Sequence, residues 1–191
     1  MKLTNLKTNV LGKNFIYYDE IDSTQDEIWR LIKNKEIKNG TLVFADIQTK
    51  GKGTHGRIWH TDEKNNIAFS FYLEMDCDIK KLENLTIDIA EIIVDIFKDL
   101  YNINLNIKRP NDIVYNGKKI GGILTQSKMI SNKVKYIVVG IGINTSKEHF
   151  SEDIANIATS IKKEFGITVN VDSVICEFCN RFEKLIGGKI A

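Results

Sequence analysis

Three glycines in six residues, Gly51, Gly53 and Gly56, are interleaved with Lys52, His55 and Arg57 in the stretch Gln48 to Trp59. Such a backbone can turn its N–H groups, together with cationic side chains, onto an anion. The spacing matches G-x-G-x-x-G, but Arg57 to Asn66 carries no apolar helical period, so no helix N-terminus is offered to a pyrophosphate and the dinucleotide-binding reading fails. A P-loop fails as well, because Gly56-Arg57-Ile58 stands where Gly-Lys-Ser/Thr is required. A kinase-type glycine loop fits locally, yet neither H-R-D nor D-F-G follows. What remains is an anion-cradling loop or an ordinary surface hairpin.

Other candidate side chains stand beside thinned backbone. Lys119 comes just before Gly121-Gly122, where a ligand or a second backbone can approach, although a solvated lysine fits equally well. Lys118 reads as solvated surface. In Tyr136 to Asn144, residues 137, 139, 141 and 143 are branched aliphatics, whereas Gly140, Gly142 and Asn144 share the opposite face. That face has room for a ligand or for a closely packed helix. Ser23 and Thr24 lie at a strand-to-helix turn, where hydroxyls cap helices and can also reach a ligand. Cys176-Glu177-Phe178-Cys179 lies inside a predicted helix with no second pair, so packing explains it better than a metal. His55, His60 and Cys77 are too irregularly spaced for zinc.

The elements that must position these groups follow from periodicity. Phe15 to Asp19 reads as a strand, followed by a helix whose apolar face is Ile28, Leu31 and Ile32. Strands are predicted at Thr41 to Gln48 and Asn66 to Leu73; on the latter, Ile67, Phe69, Phe71 and Leu73 fill one face and the other is small and polar near its start. An apolar stripe over Leu82 to Tyr101 predicts one long helix. Asn116-Gly117 predicts a hairpin pairing Asp112–Tyr115 with Lys119–Ser127, and Pro110 sets a bend at its entrance. Two helices, Ser151 to Phe165 and Val171 to Ile186, close the chain, the second ending at Gly187-Gly188. The class is mixed α/β (α+β).

With 191 residues, 42% hydrophobic and 27% charged, the chain reads as one globular domain, residues 1–191, able to bury roughly 70% of its unfolded surface. A net charge of +2, with no basic stripe or aromatic array, gives no case for nucleic acid. Three cysteines in a chain of this length suit a reducing compartment. No apolar run approaches the ~20 residues of a membrane helix and the N-terminus lacks a signal-peptide core, so a cytoplasmic protein without membrane contact is expected.

Asp22-Ser23-Thr24-Gln25, Gln48 with the Gly51 to Trp59 loop, Lys108-Arg109-Pro110-Asn111-Asp112, Lys119-Ile120-Gly121-Gly122-Ile123-Leu124 and Gly140-Ile141-Gly142-Ile143-Asn144 occur in the order and spacing of biotin protein ligase, which the chain resembles over about residues 15 to 165. The resemblance implies a class II synthetase-like fold: an antiparallel-rich sheet with helices on one side and the site at the glycine-lined face. It implies activation of biotin by ATP and Mg²⁺ to biotinyl-5′-AMP, then transfer to one lysine of a biotin carboxyl carrier protein. It also implies site residues. Ser23, Thr24 and Gln48 would meet the ureido end of biotin, Gln25, Gly51, Lys52, Gly53 and Thr54 would also touch biotin, and Gly122, Gly140 and Gly142 would line the slot for its rings and chain. Lys119 would bridge the biotin carboxylate and the α-phosphate, and Lys52 and Arg57 would act on the phosphates. Asn111, Asp112 and Asn144 would lie near the nucleotide, with Asp112 as a Mg²⁺ ligand. Trp59 stands among the nucleotide-side positions, though as a lone tryptophan where the loop returns to the sheet it reads better as core.

The chain departs from the resembled pattern at Gln25, where asparagine is usual, at Lys52, Thr54 and His55, which stand at arginine positions, and at Arg109, which replaces a tryptophan. Looser retention of the adenylate is the expected consequence at the loop. Nothing resembling a helix-turn-helix domain precedes Phe15, and 47 of the 191 residues follow Asn144, too few for an added SH3-like barrel, so no DNA binding is expected. The resemblance makes a homodimer plausible. The alternatives are lipoate or octanoate attachment on the same fold, against which the K-x-P-N-D and G-I-G-I-N motifs speak, and a non-catalytic binder of biotin or nucleotide, which would not need Lys119, Lys52 and Arg57.

Overall fold

A computed structural model describes residues 2–190. A single seven-stranded sheet runs in the order β1-β2-β3-β7-β6-β5-β4, where β1 is Asn14–Ile21, β2 Thr41–Gln48, β3 Ile67–Asp78, β4 Asn106–Lys108, β5 Asp112–Tyr115, β6 Lys118–Ile130 and β7 Lys133–Ile143. Only β1 and β2 are parallel, because helix α1 (Thr24–Lys33) connects them as a crossover; every other neighbour is antiparallel. The β5–β6 hairpin turns at Asn116 (φ 47°) and Gly117 (φ 78°), the two left-handed residues that its tight turn demands. The three-residue strand β4 was too short to leave a periodic signal.

Large side chains separate the two faces. Phe69 and Phe71 of β3 meet Phe178 and Phe182 of α4 (Val171–Ile190), with ring centroids 5.1–5.9 Å apart, and α2 (Leu85–Tyr101) buries Ile89, Ile93, Ile96 and Phe97 in the same core. The opposite face carries a smaller cluster of Ile28, Val43, Tyr72 and Val138 under α1. Helices therefore pack on both faces, not one: the apolar stripe of α1 finds Val43, Tyr72 and Val138, which point away from α2 and α4. Since α1 covers only part of this face, Gly142 of β7 lies beyond it, while Gly140 sits beside Gln25 at the start of the helix.

Three further boundaries differ from the sequence pattern. Ser151 to Ala158 folds as turns and only Ile161–Phe165 (α3) is helical, because the chain runs extended beside Lys119, whose N–H donates to the Ile157 carbonyl and whose carbonyl accepts from Thr159, both at 2.8 Å. Leu82 is buried as the stripe requires, yet it belongs to a 3-10 turn, Ile79–Leu82, cut off from α2 by Asn84 at φ 67°. Helix α4 runs on through Gly187-Gly188, and Lys189 pairs with Asp88 of α2 at 2.9 Å. On the far side of α4, the carboxylate of Glu183 accepts the backbone N–H groups of Asn9, Val10 and Leu11 at 2.5, 3.0 and 2.7 Å, strapping the N-terminal segment to the helix.

Candidate active site

Where α1 leaves the sheet uncovered, three strands present mostly small residues in register. Ala68, Gly142 and Gly122 form one row across β3, β7 and β6, and Ser70, Gly140 and Leu124 form the next. From these rows Ser70, Gly140, Leu124, Gly142 and Gly122 floor an open cleft lined further by Thr24, Gln25, Gln48, Lys52, Gly53, Thr54, Trp59, Asn111 and Lys119 among others. Its closed end is polar and uncharged. The Thr24 N–H donates to Gln48 Oε1 at 2.8 Å, Thr24 Oγ1 lies 2.9 Å from Ser70 Oγ, and Gln48 Nε2 donates to Thr61 at 3.2 Å. Gln25 is 4% exposed, and its Oε1 accepts no hydrogen bond. Ser23 stays out of the cleft lining; its hydroxyl caps α1 by accepting the Asp26 N–H at 3.3 Å, the capping role of the type its position suggests.

The glycine loop folds over this cleft. Its return is fixed by the Gly53 N–H to the Arg57 carbonyl and the Trp59 N–H to the Gly51 carbonyl, at 2.8 and 2.9 Å. Gly51 is required by the chain itself, since a Cβ there would lie 2.3 Å from the Trp59 carbonyl oxygen. Lys52 reaches Asp26 at 3.3 Å, and Arg57 is exposed and donates to Thr54 within its own loop at 3.0 Å. Trp59 corrects an expectation. It is half-buried rather than core, with its indole laid against Gly142 and Gly122, and Lys119 Nζ is 5.6 Å from the ring centre.

Lys119, Trp59, Gly53 and Thr54 also line a second open cleft, together with Arg57, His60, Asn144, Lys147 and Phe150. Lys119 is the charged residue common to both. Its Nζ pairs with Asp112 Oδ1 at 2.6 Å. Asp112, expected as a Mg²⁺ ligand, thus gives its carboxylate to Lys119, and among the described residues no group of three or more His, Cys, Asp or Glu could hold a metal. Asn111 anchors its strand by donating to the Ile123 carbonyl at 3.1 Å, and Asn144 donates to Thr159 at 3.1 Å from the floor of the second cleft.

Electrostatics reinforce the frame. Asp22 is held down to about 2, chiefly by the Arg30 guanidinium, whose two bonds to it measure 2.8 Å each. Burial works to raise Asp62, but hydrogen bonds from Lys147 and its own backbone outweigh it and hold the carboxyl below its ordinary value. The residues that sequence reasoning missed are Ser70, Gln126, Trp29 and Lys147. The small, polar face of β3 was the available signal for Ser70; no local pattern marked the other three.

The sequence profile of the biotin/lipoate A/B protein ligase family matches residues 17–144, a span that holds every expected site residue. This chain belongs to that family. Among its relatives, the bifunctional ligase/repressor BirA of Bacillus subtilis is 38% identical over 181 residues, covering 94% of this chain and 55% of BirA. Biotin–protein ligase 1, chloroplastic, of Arabidopsis thaliana is 28% identical over 187 residues, covering 95% of this chain and 50% of the relative. The chain therefore spans about half the length of these curated relatives. A solved biotin protein ligase from Aquifex aeolicus, in complex with biotin and ATP, superposes with a TM-score of 0.76 at 30% identity, covering 93% of this chain and 72% of that one. The mixed sheet with packed helices is the fold of that ligase family.

Proposed function

We propose that this chain activates biotin with ATP to biotinyl-5′-AMP and then transfers the biotin to a lysine of a carrier protein. The observation that carries the reading is Lys119, the charged residue shared by the two clefts. An acid seated on the glycine floor with its neutral head at Thr24, Gln48 and Ser70 would bring its carboxylate to Lys119, and a nucleotide in the second cleft would bring its α-phosphate to the same ammonium. Two anions then approach one fixed cation, which offsets their repulsion and the charge of the pentavalent transition state. The carboxylate oxygen bonds to the α-phosphorus while the bond to the pyrophosphate oxygen breaks. Next the neutral amine of the acceptor lysine attacks the acyl carbon, AMP leaves with the C–O electrons, and the nitrogen gives up a proton to solvent as the amide forms. Lys52 and Arg57, on the loop over both clefts, would neutralise the phosphates and help to keep water from the mixed anhydride. Relatives named as biotin–protein ligases and the Aquifex complex with biotin and ATP support this reading over lipoate attachment.

Biotin-dependent ATP–pyrophosphate exchange tests it. Exchange with biotin, reduced on the order of 10²-fold or more in Lys119→Ala, is expected. Exchange with lipoate instead would move the chain to the sister activity, and no exchange with either acid would leave a binder.

A further inference from the structure

Trp29, Gln126 and Gln25 form a chain of side-chain hydrogen bonds that runs from where α1 packs on Tyr136 of β7 to the first cleft. Trp29 Nε1 lies 2.8 Å from one terminal atom of Gln126, and Gln25 lies 2.9 Å from that same atom. An indole N–H can only donate, so the Gln126 atom must be the amide oxygen, and Gln25 must in turn present its NH₂ to it. The orientation of Gln25, ambiguous for an isolated amide, is thereby fixed. Its Oε1 points inward, buried and without a donor, 2.7 Å from where a Cβ on Gly140 would stand. Glycine at 140 leaves that oxygen room.

We propose that Trp29 and Gln126 are positioning residues that lock Gln25 as a hydrogen-bond acceptor, so that the cleft selects acids whose head group carries an N–H. This rests on the reading that the cleft takes biotin, whose cyclic urea has two such groups, whereas a dithiolane head has none. A released Gln25 would rotate and offer either end of its amide. The preference for an N–H would then fade while the cleft itself persisted.

The test is calorimetric binding of biotin, its two ureido mono-N-methyl derivatives and lipoate to the full chain without nucleotide. Wild type should bind biotin about 10-fold or more tightly than at least one N-methyl isomer, the discrimination expected of one buried hydrogen bond. In Trp29→Phe and Gln126→Leu that ratio should fall to about 2-fold, with weaker biotin binding. Gln126→Glu should retain it, because a carboxylate can accept from both Trp29 and Gln25. A purely structural role would lower the melting temperature without moving the ratio. The inference is overturned if Trp29→Phe and Gln126→Leu keep the wild-type ratio, or if Gln126→Glu loses it as Gln126→Leu does. A folded wild type that binds no biotin would overturn the functional reading, and this inference with it.

Discussion

Gly142→Ala places a methyl group where Trp59 now rests. The added Cβ would lie 2.3, 2.4 and 2.7 Å from three indole atoms, so the ring must retreat by more than about 1 Å to restore the ~3.5–4.0 Å separation of touching carbons. Because Trp59 belongs to a half-exposed loop, the retreat is cheap for the fold. It forfeits the contact with Lys119, worth about 0.5–1 kcal/mol, and some ring burial, so the melting temperature should fall by only about 2–6 °C. Binding is affected differently. The methyl stands on the floor of the cleft between Ala68 and Gly122, and overpacking of a fitted site costs about 1–3 kcal/mol, or about 5- to 150-fold in the dissociation constant of biotin. Titration calorimetry beside thermal melting separates the two effects. An alanine variant that binds biotin within about 2-fold of wild type would refute the view that these glycines clear the floor for a ligand.

Two predictions concern the frame. Burial works to raise the Glu183 carboxyl, but backbone N–H groups of Leu11, Asn9 and Val10 outweigh it and hold it below the ordinary 4.5, so its contribution is present above that value and is lost as pH falls through the lower folded value. Glu183→Gln should cost about 1–3 kcal/mol at pH 7, and its melting temperature should converge with wild type as the solution is acidified; equal melting temperatures at pH 7 would rule out the strap. Asp22 behaves alike on a smaller scale: its folded value of about 2 lies below the ordinary 3.8, so its stabilisation is complete above 3.8 and lost as pH falls through about 2. As 39% of the Asp22 side chain and 45% of Arg30 are exposed, solvent screens the pair, and Asp22→Asn should cost less than about 1 kcal/mol at pH 7, with the gap closing near pH 2 in a pH series of melts.

Much of this arrangement was legible residue by residue. The alternation of β7 separated Ile137, Val139 and Ile141, which are buried under α2 and α4, from Gly140 and Gly142, which floor the cleft. Asn116-Gly117 gave the hairpin that brings Lys119 beside Asp112. What was hidden depends on distant partners. Ser151 to Ala158 carries a helical composition, yet a backbone ladder to Lys119 overrides it, and no local pattern encodes that pairing. Trp29 and Gln126 are 97 residues apart and meet only because β6 lies next to β7 under α1. Trp59 misled because an aromatic returning to a sheet is ordinarily core; here the glycines opposite hold it at the surface of the cleft.

The strap has a consequence for synthesis. Asn9, Val10 and Leu11 are translated well before Glu183, which lies 172–174 positions later. At about 5–20 residues per second, the donors wait roughly 10–35 s for their acceptor. Phe69 and Phe71 wait about two thirds as long for Phe178 and Phe182. The glycine floor and its loop are therefore translated well before the sheet's other face is covered, which makes the interval before α4 emerges the window in which a nascent chain most needs a chaperone.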